Sequence, residues 1–153
     1  MLIGSYQPEN TTQDNEETIR VILVDSREAM REGLRQMLSG DVNIKVVGEA
    51  KNGNEVITQA QKLSPDIIIM DASVRSTNSI ETANRIRQSQ LPVSIVMLDD
   101  NTENLVPAIE SGAIAFLTKS VTRNQLIAAI RVVYLWRFVL FNEKEGHFAL
   151  VKL

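Results

Sequence analysis

The sequence contains no cysteine and a single histidine, His147. The first absence excludes a disulfide scaffold and thiolate metal sites. The second removes Ser-His-Asp triads and multi-histidine zinc centres. No apolar run is long enough to span a bilayer, and the N-terminus lacks the basic-then-apolar pattern of a signal peptide. A cytoplasmic protein away from the membrane is therefore expected. Basic excess is missing as well, since 16 Lys and Arg face 19 Asp and Glu for a net charge of −3. Four of those acids (Glu9, Asp14, Glu16 and Glu17) lie in residues 1–18, which hold no base. The other 135 residues thus carry 16 basic and 15 acidic side chains, a net +1. A body so close to neutral offers no electrostatic footprint for nucleic acid.

What is present suits one domain with a real core: 153 residues, 44% hydrophobic and 23% charged. Residues 1–18 are polar and acidic, and their composition predicts a flexible tail. The central stretch is Pro65-Asp66-Ile67-Ile68-Ile69-Met70-Asp71. Four apolar residues between a proline and a carboxylate predict a strand buried on both faces of a parallel sheet. Charge is costly inside, so Asp71 should mark the strand's emergence at the carboxyl edge, where open α/β sheets bind ligands.

Around it the chain alternates. Ile19 to Val24 predicts a first strand ending in Asp25, with Ser26 as N-cap of a helix whose apolar face is Met30, Leu34, Met37 and Leu38 and which Gly40 ends. Ile44 to Gly48 predicts a weaker strand nearer an edge. Asn52-Gly53 opens a second helix, which Ser64-Pro65 stops. After a polar loop at 72–79 come a third helix, a strand at Val93 to Leu98 and a helix from about Thr102 to Ser111. Pro107 lies inside that helix and should shorten or kink it. Ile114 to Leu117 predicts strand five, and Leu126, Ile127, Ile130, Val133 and Tyr134 line a fifth helix. Strict alternation implies a doubly wound parallel α/β sheet, flavodoxin-like, of order 2-1-3-4-5. The body is placed at 19–135. Residues 136–153 predict either a continued helix or a hairpin, with apolar surface that a second copy of the chain could cover.

In that topology strands one and three are neighbours. Asp25, Asp71 and the ammonium of Lys119, after strand five, should therefore share one crevice. Two close carboxylates favour a hard cation such as Mg²⁺, and a carboxylate beside a metal and an ammonium can accept a phosphoryl group. Plainer readings stand beside these. Asp71 could bond only its own loop, Lys119 could form a structural ion pair with it, and Asp25 could cap a turn. Arg75 could be a solvated loop residue or could reach into the acidic crevice in place of a cation.

With Val21-Ile22-Leu23-Val24-Asp25, Arg31-Glu32-Gly33-Leu34, Ser64 through Asp71, Ala108-Ile109-Glu110-Ser111-Gly112-Ala113 and Phe116-Leu117-Thr118-Lys119, the chain resembles the receiver domain of two-component response regulators of the NarL/FixJ type. The resemblance covers residues 18–134, with ungapped spacing from Asp71 through Lys119. It implies a CheY-like fold, Asp71 as phosphoacceptor, Lys119 against the phosphoryl group, and Mg²⁺ held by Asp25, Asp71 and the Ser73 carbonyl. A histidine kinase or another signalling protein is the implied partner.

Several positions depart from that pattern. Ser26 replaces a usual acidic metal ligand, so Mg²⁺ should bind poorly or be absent. Met97 replaces the switch hydroxyl and cannot donate a hydrogen bond. Arg75, Ser79 and Ser120 replace a proline, a glycine and a proline, while Phe116 keeps the aromatic switch position. Relatives of this type continue into a helix-turn-helix domain. Because this chain stops at Leu153, direct DNA binding is not expected. The sequence therefore predicts a non-enzymatic receiver, degenerate in its chemistry, that works by protein contact or dimerisation through helix four, strand five and helix five. A working phospho-receiver is the alternative, and a nucleotide-binding flavodoxin-like domain ranks last for want of a glycine-rich phosphate loop.

Overall fold

Five strands build one parallel sheet of order β2-β1-β3-β4-β5. They are β1 (Ile19–Val24), β2 (Ile44–Ala50), β3 (Ile67–Asp71), β4 (Ser94–Leu98) and β5 (Ala115–Leu117). The helices between and after them are α1 (Glu28–Leu38), α2 (Gly53–Leu63), α3 (Ser79–Gln88), α4 (Leu105–Ser111) and α5 (Arg123–Phe141). In this computed structural model the described residues are 18–73 and 78–141, the side chains of 137–141 excepted. The acidic tail at 1–17, Arg75, His147 and residues 142–153 lie outside them.

Residues within each central strand alternate between two cores. Val21, Leu23, Ile67, Ile69, Val96 and Leu98 face one layer with Leu34 and Leu38 of α1 and Leu126 and Ile130 of α5. Ile22, Val24, Ile68, Met70, Ile95 and Met97 face the other, with Val56 and Ala60 of α2, Ala83 and Ile86 of α3, and Ala108 of α4. A period of two places successive side chains on opposite faces, and helices cover both. That explains why β3 reads as an unbroken Ile-Ile-Ile-Met run. Each such residue contributes roughly 1.5–3 kcal/mol by leaving water.

The helix ends follow local chemistry. Asn52 caps α2 by accepting from the Glu55 amide, and Ser64 ends it in the left-handed region at φ 48°. Pro107 falls in the first turn of a seven-residue α4, where its missing N–H costs least, and a 3₁₀ turn at Thr102–Asn104 precedes it. The predicted fourth helix is thus split into a tight turn and a short helix.

Two readings are corrected. Ser26 does not cap α1; the cap position is Arg27, whose guanidinium has only donors and so makes no side-chain cap bond, while its amide donates to Asp25 Oδ1. Gly40 is not the residue that stops α1 either, since Ser39 caps it in the right-handed region and its amide donates to the Arg35 carbonyl. At the other end, α5 continues through Phe141, so Arg137 to Phe141, weighed as a hairpin arm, are helical.

Candidate functional site

The crevice at the carboxyl edge is built by β1, β3 and the loop after β5. Asp71 is the last residue of β3 and pairs in register with Leu98 of β4. Its side chain is almost wholly buried, as is that of Asp25 one residue beyond β1. Lys119 reaches in from two residues beyond β5, and its Nζ lies 3.0 Å from Asp71 Oδ1. The loop after β3 turns back on the same carboxylate: the Ser73 amide donates to Oδ1 at 3.2 Å and the Ser73 hydroxyl to Oδ2 at 2.9 Å. Burial works to raise the Asp71 carboxyl. The Lys119 ammonium and the two Ser73 donors outweigh it, and the group sits below the ordinary carboxylate range.

A residue that the sequence reading passed over joins the two acids. Arg27 folds back over its own loop onto Asp25, with Nε 3.1 Å from Oδ1 and Nη2 3.1 Å from Oδ2. The same Nη2 lies 3.8 Å from Asp71 Oδ2. The hydrogen bond to Asp25 holds the guanidinium above its ordinary value against some desolvation, and the charges of Asp25 and Asp71 add to it. A cation at the positive end of a helix is disfavoured on its own; here two carboxylates offset that.

Arg31, one turn further on, is buried. It donates to the Asp25 carbonyl at 2.7 Å and pairs with Glu49 of β2, which also takes Arg35 at 2.6 Å. Arg27, Arg31 and Arg35 follow at intervals of four, so one side of α1 anchors the β1–α1 loop to the crevice and to the edge strand.

Other positions at this end of the sheet land as follows. Met97 is wholly buried and pairs in register with Met70 on one side and Phe116 on the other. Phe116 is half-buried against the layer that holds α2, α3 and α4. Asp99 bonds its own loop at Asn101 and Asn104, and Asp100 accepts from the Lys119 amide. Both serve the β4 and β5 loops rather than the carboxylates. Ser79 begins α3, and its buried hydroxyl donates to the Ala72 carbonyl, tying the start of α3 to the residue after β3.

Comparison with known proteins agrees with this geometry. Residues 21–131 match the family described as the response regulator receiver domain. The chain belongs to that family. It is 36% identical over 118 residues to the response regulator UvrY of Escherichia coli, covering 76% of this chain and 54% of UvrY. It is 33% identical over 118 residues to the nitrate/nitrite response regulator protein NarL of the same species, with 76% and 55% covered. Among solved structures, the response regulator domain of Thermotoga maritima CheB superposes with a TM-score of 0.69 at 29% identity, over 77% of this chain and 97% of that one. The chain spans about half the length of the curated relatives it matches. The receiver fold, flavodoxin-like and of order 2-1-3-4-5, is thereby shown. No helix among the described residues is long and apolar enough to cross a membrane.

Receivers hold Mg²⁺ beside the acceptor aspartate, and the residues of this crevice fit that ion poorly. Mg²⁺ demands near-octahedral oxygen ligands. Here Ser26, next to Asp25, offers a hydroxyl rather than a carboxylate, and both Asp25 oxygens accept from Arg27. The guanidinium also reaches toward Asp71, so both acids already face a cation of the chain. Among the described residues no group of three or more acidic, histidine or cysteine side chains is arranged to hold a metal ion.

Proposed function

We propose that this chain is a receiver module that signals by protein contact, with the phosphoryl-transfer chemistry of its family suppressed. The observation that carries the reading is the end of β4: Leu98 pairs in register with Asp71 and the buried Asp99 follows, so those two positions offer a phosphoryl oxygen an apolar side chain and a carboxylate and no hydroxyl donor. A phosphoryl group on Asp71 would find no hydrogen bond from β4 and so no pull on that strand. Ser26 adds to this by removing an acidic ligand. The chain is read as non-enzymatic and cytoplasmic, contacting a histidine kinase or another signalling protein. Its near-neutral body favours protein over DNA as the partner.

Contact is assigned to the edge formed by α4, β5 and α5. Val106 and Ile109 of α4 and Val132 and Trp136 of α5 are all exposed, at 61%, 47%, 52% and 51%. Val132 and Trp136 line a shallow groove of about 480 Å³ with Ile114 and Ala115 at the start of β5. An apolar surface without charge is complementary to itself, so a second copy of the chain suits it.

A working phospho-receiver is the competing reading, supported by the retained contact between Asp71 and Lys119. Incubation with acetyl phosphate and Mg²⁺, followed by intact-mass measurement, separates the two. The expected result is no adduct. Gain of one phosphoryl group, with acetate leaving and a new bond to an Asp71 oxygen, and its loss in Asp71→Asn, would establish the competing reading.

A further inference from the structure

We propose that Arg27 is a tethered cation: its guanidinium stands in the place of a divalent ion between Asp25 and Asp71 and keeps metal out of the crevice. The inference deepens the reading of a chemically suppressed receiver. It concerns what fills the crevice rather than whether Asp71 reacts.

Three observations carry it. The first is position. Arg27 grips Asp25 with two parallel hydrogen bonds of 3.1 Å and brings the same Nη2 to 3.8 Å from Asp71 Oδ2. One planar fork thus addresses both carboxylates, which is the geometry that guanidinium provides and ammonium does not.

The second is tethering. Arg27 lies two residues beyond Asp25, and its own amide donates to Asp25 Oδ1 at 2.9 Å. Arg31 then fixes the Asp25 carbonyl from the next turn at 2.7 Å. Backbone and side chain of Arg27 close on one carboxylate together, so the cation is delivered by the loop itself. A free ion must compete with a group that never leaves the vicinity.

The third is charge. Among the described residues, Asp25 and Asp71 contribute two negative charges, and Arg27 and Lys119 contribute two positive ones. The buried pair of acids is neutralised by the chain's own side chains. Addition of a divalent ion would leave a surplus of two positive charges at a desolvated site, which is unfavourable. Arginine stays protonated throughout the working range, so pH does not vacate the position. Half of the Arg27 side chain is nevertheless exposed, and its removal opens the crevice without disturbing the core.

Mn²⁺ serves as the probe, because its electron paramagnetic resonance signal reports bound ion directly, and Mg²⁺ serves as competitor. The wild-type protein should show no saturable Mn²⁺ binding at millimolar concentration, and its melting temperature should not respond to Mg²⁺ beyond an ionic-strength control. Arg27→Ala and the shorter, uncharged but polar Arg27→Gln should each gain affinity of about tenfold or more, the scale on which groups around a metal site act. Combining either with Ser26→Asp should strengthen binding further, and Asp71→Asn in the same background should abolish it.

Wild-type protein that binds Mn²⁺ as tightly as the Arg27 variants overturns the proposal. So does a cooperatively folded Arg27→Gln, Ser26→Asp protein that binds none. If Arg27→Ala fails to fold, Arg27→Gln and the wild-type melting response still decide. A phosphoryl adduct on wild-type protein would refute the suppressed-chemistry reading. Metal binding by wild-type protein would refute this one, and the two results are read on separate instruments.

Discussion

The carboxyl-edge crevice and the α4–β5–α5 edge differ in how completely the chain satisfies them. Among the described residues, two buried acids in the crevice meet two basic side chains, and every carboxylate oxygen has a donor or a cation nearby. At the other edge, Val106, Val132 and Trp136 stay more than half exposed. The position that a receiver uses for chemistry is closed from within, and the surface it uses for contact is open. A charge-balanced pocket asks for no ligand, whereas an apolar patch gains free energy when something covers it. The difference favours the second region for the proposed output.

The largest effect should come from unbalancing the crevice. Lys119→Met leaves the desolvated Asp71 carboxylate without its ammonium, and stability measured by urea unfolding should fall by about 3 kcal/mol. Adding Asp71→Asn to that variant should restore part of the loss, because the stranded charge goes with it. If Lys119→Met were neutral, the crevice would be polar surface rather than a balanced ion pair.

The pH dependence comes next. The Asp71 carboxyl lies below its ordinary value in the folded chain, so the unfolded state takes up this proton first as pH falls. Its contribution is present in full above the unfolded value of about 4. That contribution diminishes as the pH drops through the folded one. Asp71→Asn should flatten that part of the acid limb in urea midpoints measured against pH.

On the contact side, Trp136→Glu should leave monomer stability within about 0.5 kcal/mol, since the ring is exposed. The same change should remove self-association in sedimentation. A dimer that persists would place the interface elsewhere.

Much of this was legible because a buried parallel sheet writes itself as uninterrupted apolar runs. The Ile67 to Met70 run with Asp71 at its end gave the central strand and the crevice together, and the alternation of elements gave the strand order. Lys119 followed from its place after strand five. Arg27 was not legible, since Arg27-Glu28 reads as a solvated first turn. The signal available was a cation two residues after an acid, at the helix end that disfavours cations. Its reach back to Asp25 depends on the extended backbone at the cap, φ −95° and ψ 120°. The same loop path took the capping role away from Ser26. Buried Arg31 was missed for a similar reason: its value lies in the Asp25 carbonyl and Glu49, which sequence spacing does not bring together. The helical course of Arg137 to Phe141 was ambiguous because aromatic and β-branched residues suit a strand as well.

Sedimentation velocity of the wild-type protein with and without acetyl phosphate and Mg²⁺ tests the central claim most directly. If the receiver works by contact alone, the dimer fraction should be the same in both conditions and should be unchanged in Asp71→Asn. A dimer fraction that rises with acetyl phosphate and falls back in Asp71→Asn would contradict it.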